Sequence, residues 1–296
     1  MAKKKNNKLA AANNRTDAKS SREKNVSFRR NEEDDMAYEA ANMIGISMSF
    51  AASEAYKLLR TNIMFSFSGD ERCRVVGLTS SFRGEGKSLT SLNLAYTLAE
   101  AKHKVLLIEG DMRLPTLSKR LRFNPTPGLS NLLVGLNTVS DAIQQYIVPI
   151  EDADAITLDV IVSGNVPPNP SELLGSQRMQ SLIRTLRDRY DYIVLDLPPV
   201  TAVTDALVAS RLADGMVVVV RNNVAVRDAL AETLRQLQQV GTRILGFVFN
   251  GAGEGGPGYY YSGRYYSRSK YYRGYGRNYY RSGYYSQGYD RISQKK

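Results

Sequence analysis

The sequence of 296 residues is poor in the residues that build disulfides and metal sites. It contains one cysteine, Cys73, and one histidine, His103. A single thiol excludes a disulfide framework and fits a reducing compartment such as the cytoplasm. Cys73 lies at the start of an apolar run and is expected to be buried, whereas His103 lies in a polar turn. We therefore expect no metal site built from histidine and cysteine.

Long apolar runs are missing as well. No stretch approaches the roughly 20 apolar residues that cross a bilayer. The first eight residues include four lysines and lead into polar side chains instead of an apolar segment, so no signal peptide is expected. The sequence predicts a cytoplasmic protein, whose recruitment to the inner face of the membrane would depend on a partner or on surface charge.

The formal net charge of +11 is carried by the two ends of the chain. Residues 1–30 contain ten Lys/Arg and two acidic residues, and residues 258–296 contain nine Lys/Arg and one acidic residue. Each end therefore carries +8, and the segment between them carries −5. Basic ends can engage nucleic acid, an anionic membrane surface or an acidic partner, and charge alone does not distinguish these.

The C-terminal segment 258–296 has one aliphatic residue, Ile292, but thirteen of the 19 tyrosines. A segment that buries little apolar surface cannot offset the entropy of ordering, which predicts a disordered tail. Two interpretations stay open: a substrate tethered to its own enzyme, or a Tyr/Arg/Gly tail that solubilises the chain or contacts RNA. The candidate phosphate acceptors are Tyr259, Tyr260, Tyr261, Tyr265, Tyr266, Tyr271, Tyr272, Tyr275, Tyr279, Tyr280, Tyr284, Tyr285 and Tyr289.

A polar arm, residues 1–45, and the tail, residues 253–296, flank a segment in which helical patterns alternate with apolar strand patterns. Strands are predicted at 74–78, 105–108, 158–162, 192–197, 216–220 and 244–249, with an irregular stretch and short helices between the second and third. This alternation predicts, for residues 46–252, an α/β domain with a P-loop NTPase-like parallel sheet and helices on both faces. Ligands of such sheets bind beyond the carboxyl ends of the strands.

A glycine-rich segment follows the first predicted strand and reads SFRGEGKS from Ser81 to Ser88. This is a Walker A pattern with Ser81 in place of its usual first glycine. Backbone N–H groups and the next helix N-terminus would cradle phosphates, Lys87 would reach the β- and γ-phosphates, and Ser88 would hold Mg²⁺. The predicted ATP site comprises Ser81, Gly84, Glu85, Gly86, Lys87, Ser88 and Leu89.

Acidic residues follow two further strands. Glu109 and Asp111 come after residues 105–108, and Asp196 is followed by a Pro-Pro pair after the next residue, as in a Walker B strand. Asp196 is expected to bind Mg²⁺ directly or through water. Because parallel strands end at one edge, the three carboxylates should converge on the P-loop. Asn250, at the end of the last strand, is a candidate either for adenine contact or for capping the turn into Gly251.

These motifs, together with the tyrosine cluster, resemble a bacterial tyrosine kinase (BY-kinase) of the stand-alone cytoplasmic type found in capsule and exopolysaccharide operons. The resemblance covers residues 53–296. It implies that Lys87, Ser88 and Asp196 serve the phosphates and Mg²⁺, and that Glu109 and Asp111 assist the metal and the tyrosine hydroxyl, with Asp111 also a metal ligand. The family usually has Asp where this chain has Glu109. Altered activity and action through water remain alternatives for the longer acid.

The resemblance also implies an assembly. It predicts a homo-oligomeric ring, joined through a helix bearing Glu54, Lys57 and Arg60, in which tails are phosphorylated in trans. Lys57 replaces a family Arg, and an ordinary solvated helix face is the alternative. Complete modification would change the tail charge from +8 to roughly −12 to −18, which we expect to end the assembly. Expected partners are a membrane-embedded activator resembling a chain-length determinant and a cognate phosphotyrosine phosphatase, with no nucleic acid.

Two rival functions remain open. One is a partition-type ATPase switch without protein phosphorylation, although such ATPases carry a Lys early in Walker A where this chain has Phe82. The other is a nucleic-acid-binding protein that stacks bases on the tail tyrosines.

Overall fold

The structure, a computed structural model, describes residues 48–67, 69, 73–150, 153–222 and 224–251. The arm, the tail and all thirteen candidate tyrosines lie outside these residues, as do the domain boundaries expected after residues 45 and 252. The chain divides into two compact units, Met1–Val220 with Val224–Val248 and Arg221–Asn223 with Phe249–Lys296. Within the described ranges, no helix combines the length and apolarity needed to cross a membrane.

The described residues form nine helices and seven strands. The helices are α1 (Phe50–Ser66), α2 (Lys87–Glu100), α3 (Leu117–Leu121), α4 (Leu129–Val134), α5 (Val139–Ala142), α6 (Pro170–Gly175), α7 (Gln177–Arg187), α8 (Asp205–Ser210) and α9 (Arg227–Gln239). The strands are β1 (Arg74–Ser80), β2 (Val105–Glu109), β3 (Ile143–Ile150), β4 (Ala153–Ile161), β5 (Tyr192–Asp196), β6 (Gly215–Arg221) and β7 (Ile244–Asn250). The spacing of Tyr56, Leu59, Ile63 and Phe67 predicts a helix from residue 51 to about 67, and α1 confirms it.

One seven-stranded sheet has the order β3-β4-β2-β5-β1-β6-β7. β1 pairs in parallel with β5 and β6, and β2 pairs in parallel with β4 and β5. This confirms the P-loop NTPase-like α/β fold. The sheet is mixed, however, because β3 pairs antiparallel with β4. The sequence prediction missed β3, since polar Gln144 and Gln145 interrupt the apolar pattern of this edge strand.

Apolar side chains of the central strands alternate between two cores, one on each face of the sheet. Val194 belongs to the core that contains residues of α1 and α2, whereas Ile193 and Leu195 belong to the core under α4, α7, α8 and α9. Each buried side chain of this size contributes about 1.5–3 kcal/mol relative to an exposed one. Burial on both faces explains why the strands read as continuous apolar runs. Cys73 is buried as expected, and burial raises the pKa of its thiol to about 11.

The start of α6 differs from the sequence prediction. The sequence from Asn169 predicts a helix start with Ser171 as a candidate cap, but Asn169 occupies the N-cap position and Pro170 is the first helical residue, where its fixed φ and missing N–H are tolerated. The Ser171 hydroxyl instead donates a hydrogen bond to Asp205, the first residue of α8. The polar side chain thus joins two helices.

Candidate active site

The P-loop connects β1 to α2 in the strand-loop-helix order that a Walker A motif requires. Gly84 and Gly86 have φ angles of 83° and 89°, a left-handed conformation that suits glycine. Gly86 is the N-cap of α2, and no side chain caps this helix end. The first N–H groups of a helix lack intrahelical acceptors and lie at the positive end of its dipole. This helix end fits a phosphate.

Hydrogen bonds inside the loop fix its shape. The Phe82 N–H donates to the Glu85 carboxylate at 2.7 Å, and Glu85 is only 1% exposed. The Ser81 hydroxyl accepts a 3.0 Å hydrogen bond from Thr233, a fully buried residue of α9. Ser81, where most Walker A motifs have glycine, therefore ties the loop to a helix far along the chain. No sequence signal pointed to Thr233.

Lys87 forms a buried ion pair at the carboxyl edge of the sheet. Its Nζ lies 2.9 Å from Asp111 Oδ2 and 3.4 Å from the Ser88 hydroxyl oxygen. Burial alone would lower the pKa of the Lys87 ammonium, but the negative charges of Asp196 and Asp111 outweigh it and raise that pKa above its usual value. Lys87 is therefore a protonated cation, and Asp111 supplies the negative charge beside it.

Asp196 is a fully buried carboxylate at the end of β5. Its Oδ1 accepts a 3.3 Å hydrogen bond from the Ser91 hydroxyl, whereas its Oδ2 has no hydrogen-bond partner within the described residues. Loss of solvation raises the pKa of Asp196, and the Lys87 charge and the Ser88 hydroxyl partly offset this. An unsatisfied buried carboxylate oxygen is costly and would be relieved by a cation.

The oxygen atoms at this edge fit Mg²⁺. The described residues contain no group of three or more His, Cys, Asp or Glu side chains that could hold a metal by themselves. Mg²⁺ usually keeps several waters and takes only one or two carboxylates together with substrate phosphates. Ser88, Asp111 and Asp196 remain its predicted ligands on this reasoning.

The two acids that follow β2 have different surroundings. Asp111 contacts Lys87, but the Glu109 carboxylate accepts three backbone hydrogen bonds, from Thr116 N–H at 2.5 Å, Leu117 N–H at 2.7 Å and Ser163 N–H at 3.0 Å. Glu109 is 1% exposed, and burial raises its pKa despite these three donors. Of the three carboxylates expected to converge on the P-loop, Asp111 pairs with Lys87, whereas Glu109 is bound by main-chain amides.

Arg113 extends the site towards α6 and α8. Its guanidinium makes two hydrogen bonds to the Asp205 carboxylate, at 2.8 and 3.0 Å, and Asp205 is fully buried. Burial alone would raise the pKa of Asp205, but its bonds to Arg113 and Ser171 lower it below the usual range. The sequence alone predicts for Asp205 only a position near a helix start, where a carboxylate is a favourable partner of the helix dipole. Its pairing with Arg113 joins residues 92 positions apart.

The predicted interface residues of α1 do not share one environment. Lys57 and Glu54 form an exposed 3.0 Å ion pair. Arg60 instead donates to the Thr97 carbonyl at 2.7 Å and lies 3.5 Å from Glu100, both in α2. Arg60 therefore packs α1 against α2 within the same chain.

Asn250, in the second compact unit, has contacts that resemble a turn cap. Its side-chain Oδ1 accepts a 2.8 Å hydrogen bond from Gly251 N–H, and its carbonyl accepts one at 2.9 Å from Asn222 N–H. The turn-capping interpretation of Asn250 has direct geometric support. Adenine contact remains a prediction.

A Walker A loop, a cationic lysine and a buried Walker B carboxylate at one edge of a parallel-dominated sheet define a nucleotide-binding P-loop protein. A family model described as an AAA domain matches residues 73–245. Among curated proteins, tyrosine-protein kinase YwqD of Bacillus subtilis (strain 168) is 37% identical over 199 residues, which cover 67% of this chain and 81% of YwqD.

Solved structures give the same result. The chimerical protein CapA2B2 is 35% identical with a TM-score of 0.60, and the match covers 67% of this chain and 84% of that one. The kinase domain of the Escherichia coli tyrosine kinase ETK is 32% identical with a TM-score of 0.62, covering 68% and 75%. The chain belongs to the bacterial tyrosine kinase (BY-kinase) family and is a protein-tyrosine kinase.

Proposed function

We propose that this kinase is an ATP- and Mg²⁺-dependent autokinase that phosphorylates the tyrosines of its own C-terminal tail, in trans between subunits. The observation that carries the proposal is the Lys87–Asp111 ion pair, 2.9 Å long, at the sheet edge where Asp196 Oδ2 lacks a hydrogen-bond partner among the described residues. A cation, a carboxylate and a buried carboxylate oxygen are the groups that phosphoryl transfer to a hydroxyl requires.

Each residue has a defined task in this mechanism. The P-loop amides and Lys87 hold the phosphates and offset the charge that develops on the transferred group. Ser88 and Asp196 would hold Mg²⁺, which would supply positive charge that neutralises part of the phosphate charge. Asp111, released from Lys87 by the phosphates, orients the tyrosine hydroxyl and accepts its proton. A free tyrosine has a pKa near 10, so an acceptor at this position matters.

Transfer between subunits requires the chains to associate, and α1 offers a surface for this. Three large apolar side chains of α1 are exposed: Phe50 at 76%, Leu58 at 61% and Phe65 at 84%. They lie on the helix that also carries the exposed Glu54–Lys57 pair. Large apolar side chains exposed on one helix would be covered by a protein contact, which supports α1 as the subunit interface of a ring.

We further propose a role in capsule or exopolysaccharide synthesis. In this role the chain would be recruited to the inner face of the membrane by a membrane-embedded activator and reset by a phosphotyrosine phosphatase. The similarity to a chimerical protein supports a kinase that works joined to a second polypeptide. Phosphorylation of the tail would reverse its charge and drive subunits apart.

Incubation of the full chain with Mg-ATP, followed by mass spectrometry of its C-terminal peptides, tests the proposal. We expect several phosphates between Tyr259 and Tyr289 in the wild type and none in Lys87→Met. ATP hydrolysis with an unmodified tail would instead support a partition-type switch. RNA binding that weakens steeply with salt, without phosphate incorporation, would support the nucleic-acid alternative.

A further inference from the structure

The loop between β2 and α3 is closed by one side chain. Glu109, the last residue of β2, accepts hydrogen bonds from Thr116 and Leu117, which form the N-terminus of α3. Both bonds go to Oε1, and Oε2 accepts a third from Ser163 N–H beyond the end of β4. The two ends of the loop are thereby held together and joined to a neighbouring strand.

Asp111 lies inside this closed loop. Its Oδ1 accepts a 3.2 Å hydrogen bond from Leu114 N–H, and Gly110 N–H donates to the Asp196 carbonyl at 2.8 Å. These contacts and those of Glu109 set where the Asp111 carboxylate stands relative to Lys87. A shift of about 1 Å in a catalytic group can cost roughly 10²-fold in rate, so the restraint on this loop matters for activity.

We propose that Glu109 is a positioning residue, which fixes the loop that carries Asp111 at the carboxyl edge of the sheet, instead of a catalytic acid or a metal ligand. A carboxylate has about four acceptor sites, and three of those on Glu109 are taken by main-chain donors. Binding a metal would require some of these buried N–H groups to lose their partner, at about 1–3 kcal/mol each. The inference rests on the proposed role of Asp111.

Side-chain length separates the two roles. Glu109→Asp keeps the charge but withdraws the carboxylate by about 1.5 Å, one C–C bond, which stretches contacts of 2.5–3.0 Å beyond hydrogen-bond range. Glu109→Gln loses the charge but keeps an amide oxygen in the place of Oε1, where two of the three donors bind. A positioning role predicts that Glu109→Gln is more active than Glu109→Asp, and a catalytic or metal role predicts the reverse.

The test measures kcat and the KM for ATP of tail phosphorylation in full-length protein, across pH. For Glu109→Asp we expect a kcat loss approaching roughly 10²-fold with little change in KM. For Glu109→Gln we expect a smaller loss and an unshifted pH profile. Asp214→Asn is the matched control, because Asp214 also accepts a backbone N–H, from Val75 at 2.7 Å, and pairs with Arg187, but at the start of β6. It should lower stability without the kcat loss.

The inference would be overturned if Glu109→Asp were as active as wild type, or if the pH dependence of kcat in Glu109→Gln lacked one of the limbs seen in wild type. Hydrogen exchange in the wild-type protein gives an independent check that needs no variant. The amides of Thr116, Leu117 and Ser163 should be protected without nucleotide, and rapid exchange there would also refute the role. Absence of tail phosphorylation in wild type, with these amides protected, would contradict the proposed function and leave the loop closure intact.

Discussion

Replacing Asp196 by asparagine should make the nucleotide-free protein more stable and at the same time unable to respond to Mg²⁺. The wild-type carboxylate is fully buried, and its Oδ2 has no hydrogen-bond partner among the described residues. Leaving such a group unsatisfied costs about 1–3 kcal/mol, more when it is charged. The asparagine side chain would be uncharged and of nearly the same shape, so the charged part of that cost should disappear. Its buried amide would still lack one partner, and Lys87 would lose one of the two negative charges beside it, so the net gain should lie at the lower end of this range.

The magnitude follows from the size of the domain. For a domain of this length, a change of about 1 kcal/mol moves Tm by about 2–4 °C, so the variant should melt roughly 2–4 °C above wild type. With Mg-ADP at about 100 times its Kd, wild type should gain about 2.7 kcal/mol, or roughly 5–10 °C. The variant should lose the part of this gain that depends on Mg²⁺.

Differential scanning calorimetry of both proteins, with ADP in EDTA and with Mg-ADP, measures both effects. Ser91→Ala is the matched control, because it removes the hydroxyl that bonds to Asp196 Oδ1 and leaves the carboxylate in place. A variant that melts below wild type without nucleotide, yet keeps the full Mg²⁺ response, would refute the reasoning about Asp196.

Charge and hydrogen bonding lead to three more expected outcomes. The stability advantage of Asp196→Asn over wild type should shrink as pH falls from about 8 towards 4. The reason is that the Asp196 carboxyl, whose pKa is raised in the folded protein, takes up a proton and then no longer destabilises the fold. A difference in unfolding free energy that stays constant with pH, measured by urea denaturation, would contradict this. Arg113→Ala should lower stability by about 1–2 kcal/mol by leaving buried Asp205 without its guanidinium, and Arg113→Lys should recover only part in the same denaturation assay, since Lys cannot bind in a bidentate manner. Lys57→Arg should raise the mass measured by light scattering and Lys57→Ala should lower it, whereas equal masses would exclude α1 as the subunit interface.

The local sequence pattern was sufficient to predict the strands and the loop that surround the phosphate site. Continuous apolar runs indicate strands buried on both faces, and the glycines at 84 and 86 indicate a loop with left-handed residues. The strand β3 was missed because its pairing partner, and not its own polar pattern, holds it in the sheet. Edge strands with one neighbour carry little periodic signal.

The acidic residues show where a motif stops being informative. The sequence places Glu109, Asp111 and Asp196 at one sheet edge, and the strands do end there. It does not show that the Glu109 carboxylate accepts hydrogen bonds from the backbone N–H groups of Thr116 and Ser163, because such bonds depend on how distant segments of the chain pack together. The same holds for Arg60, which the family resemblance places at a subunit interface but whose guanidinium donates to the Thr97 carbonyl of α2.

The central claim is that phosphate passes from the P-loop of one chain to the tail of another. Full-length Lys87→Met, labelled with ¹⁵N, would be mixed with an unlabelled active chain in which the thirteen tail tyrosines are replaced by phenylalanine, and both tails analysed by mass spectrometry after addition of Mg-ATP. We expect phosphotyrosine on the labelled tail. A labelled tail that stays unmodified, while wild type alone phosphorylates itself, would contradict transfer between subunits.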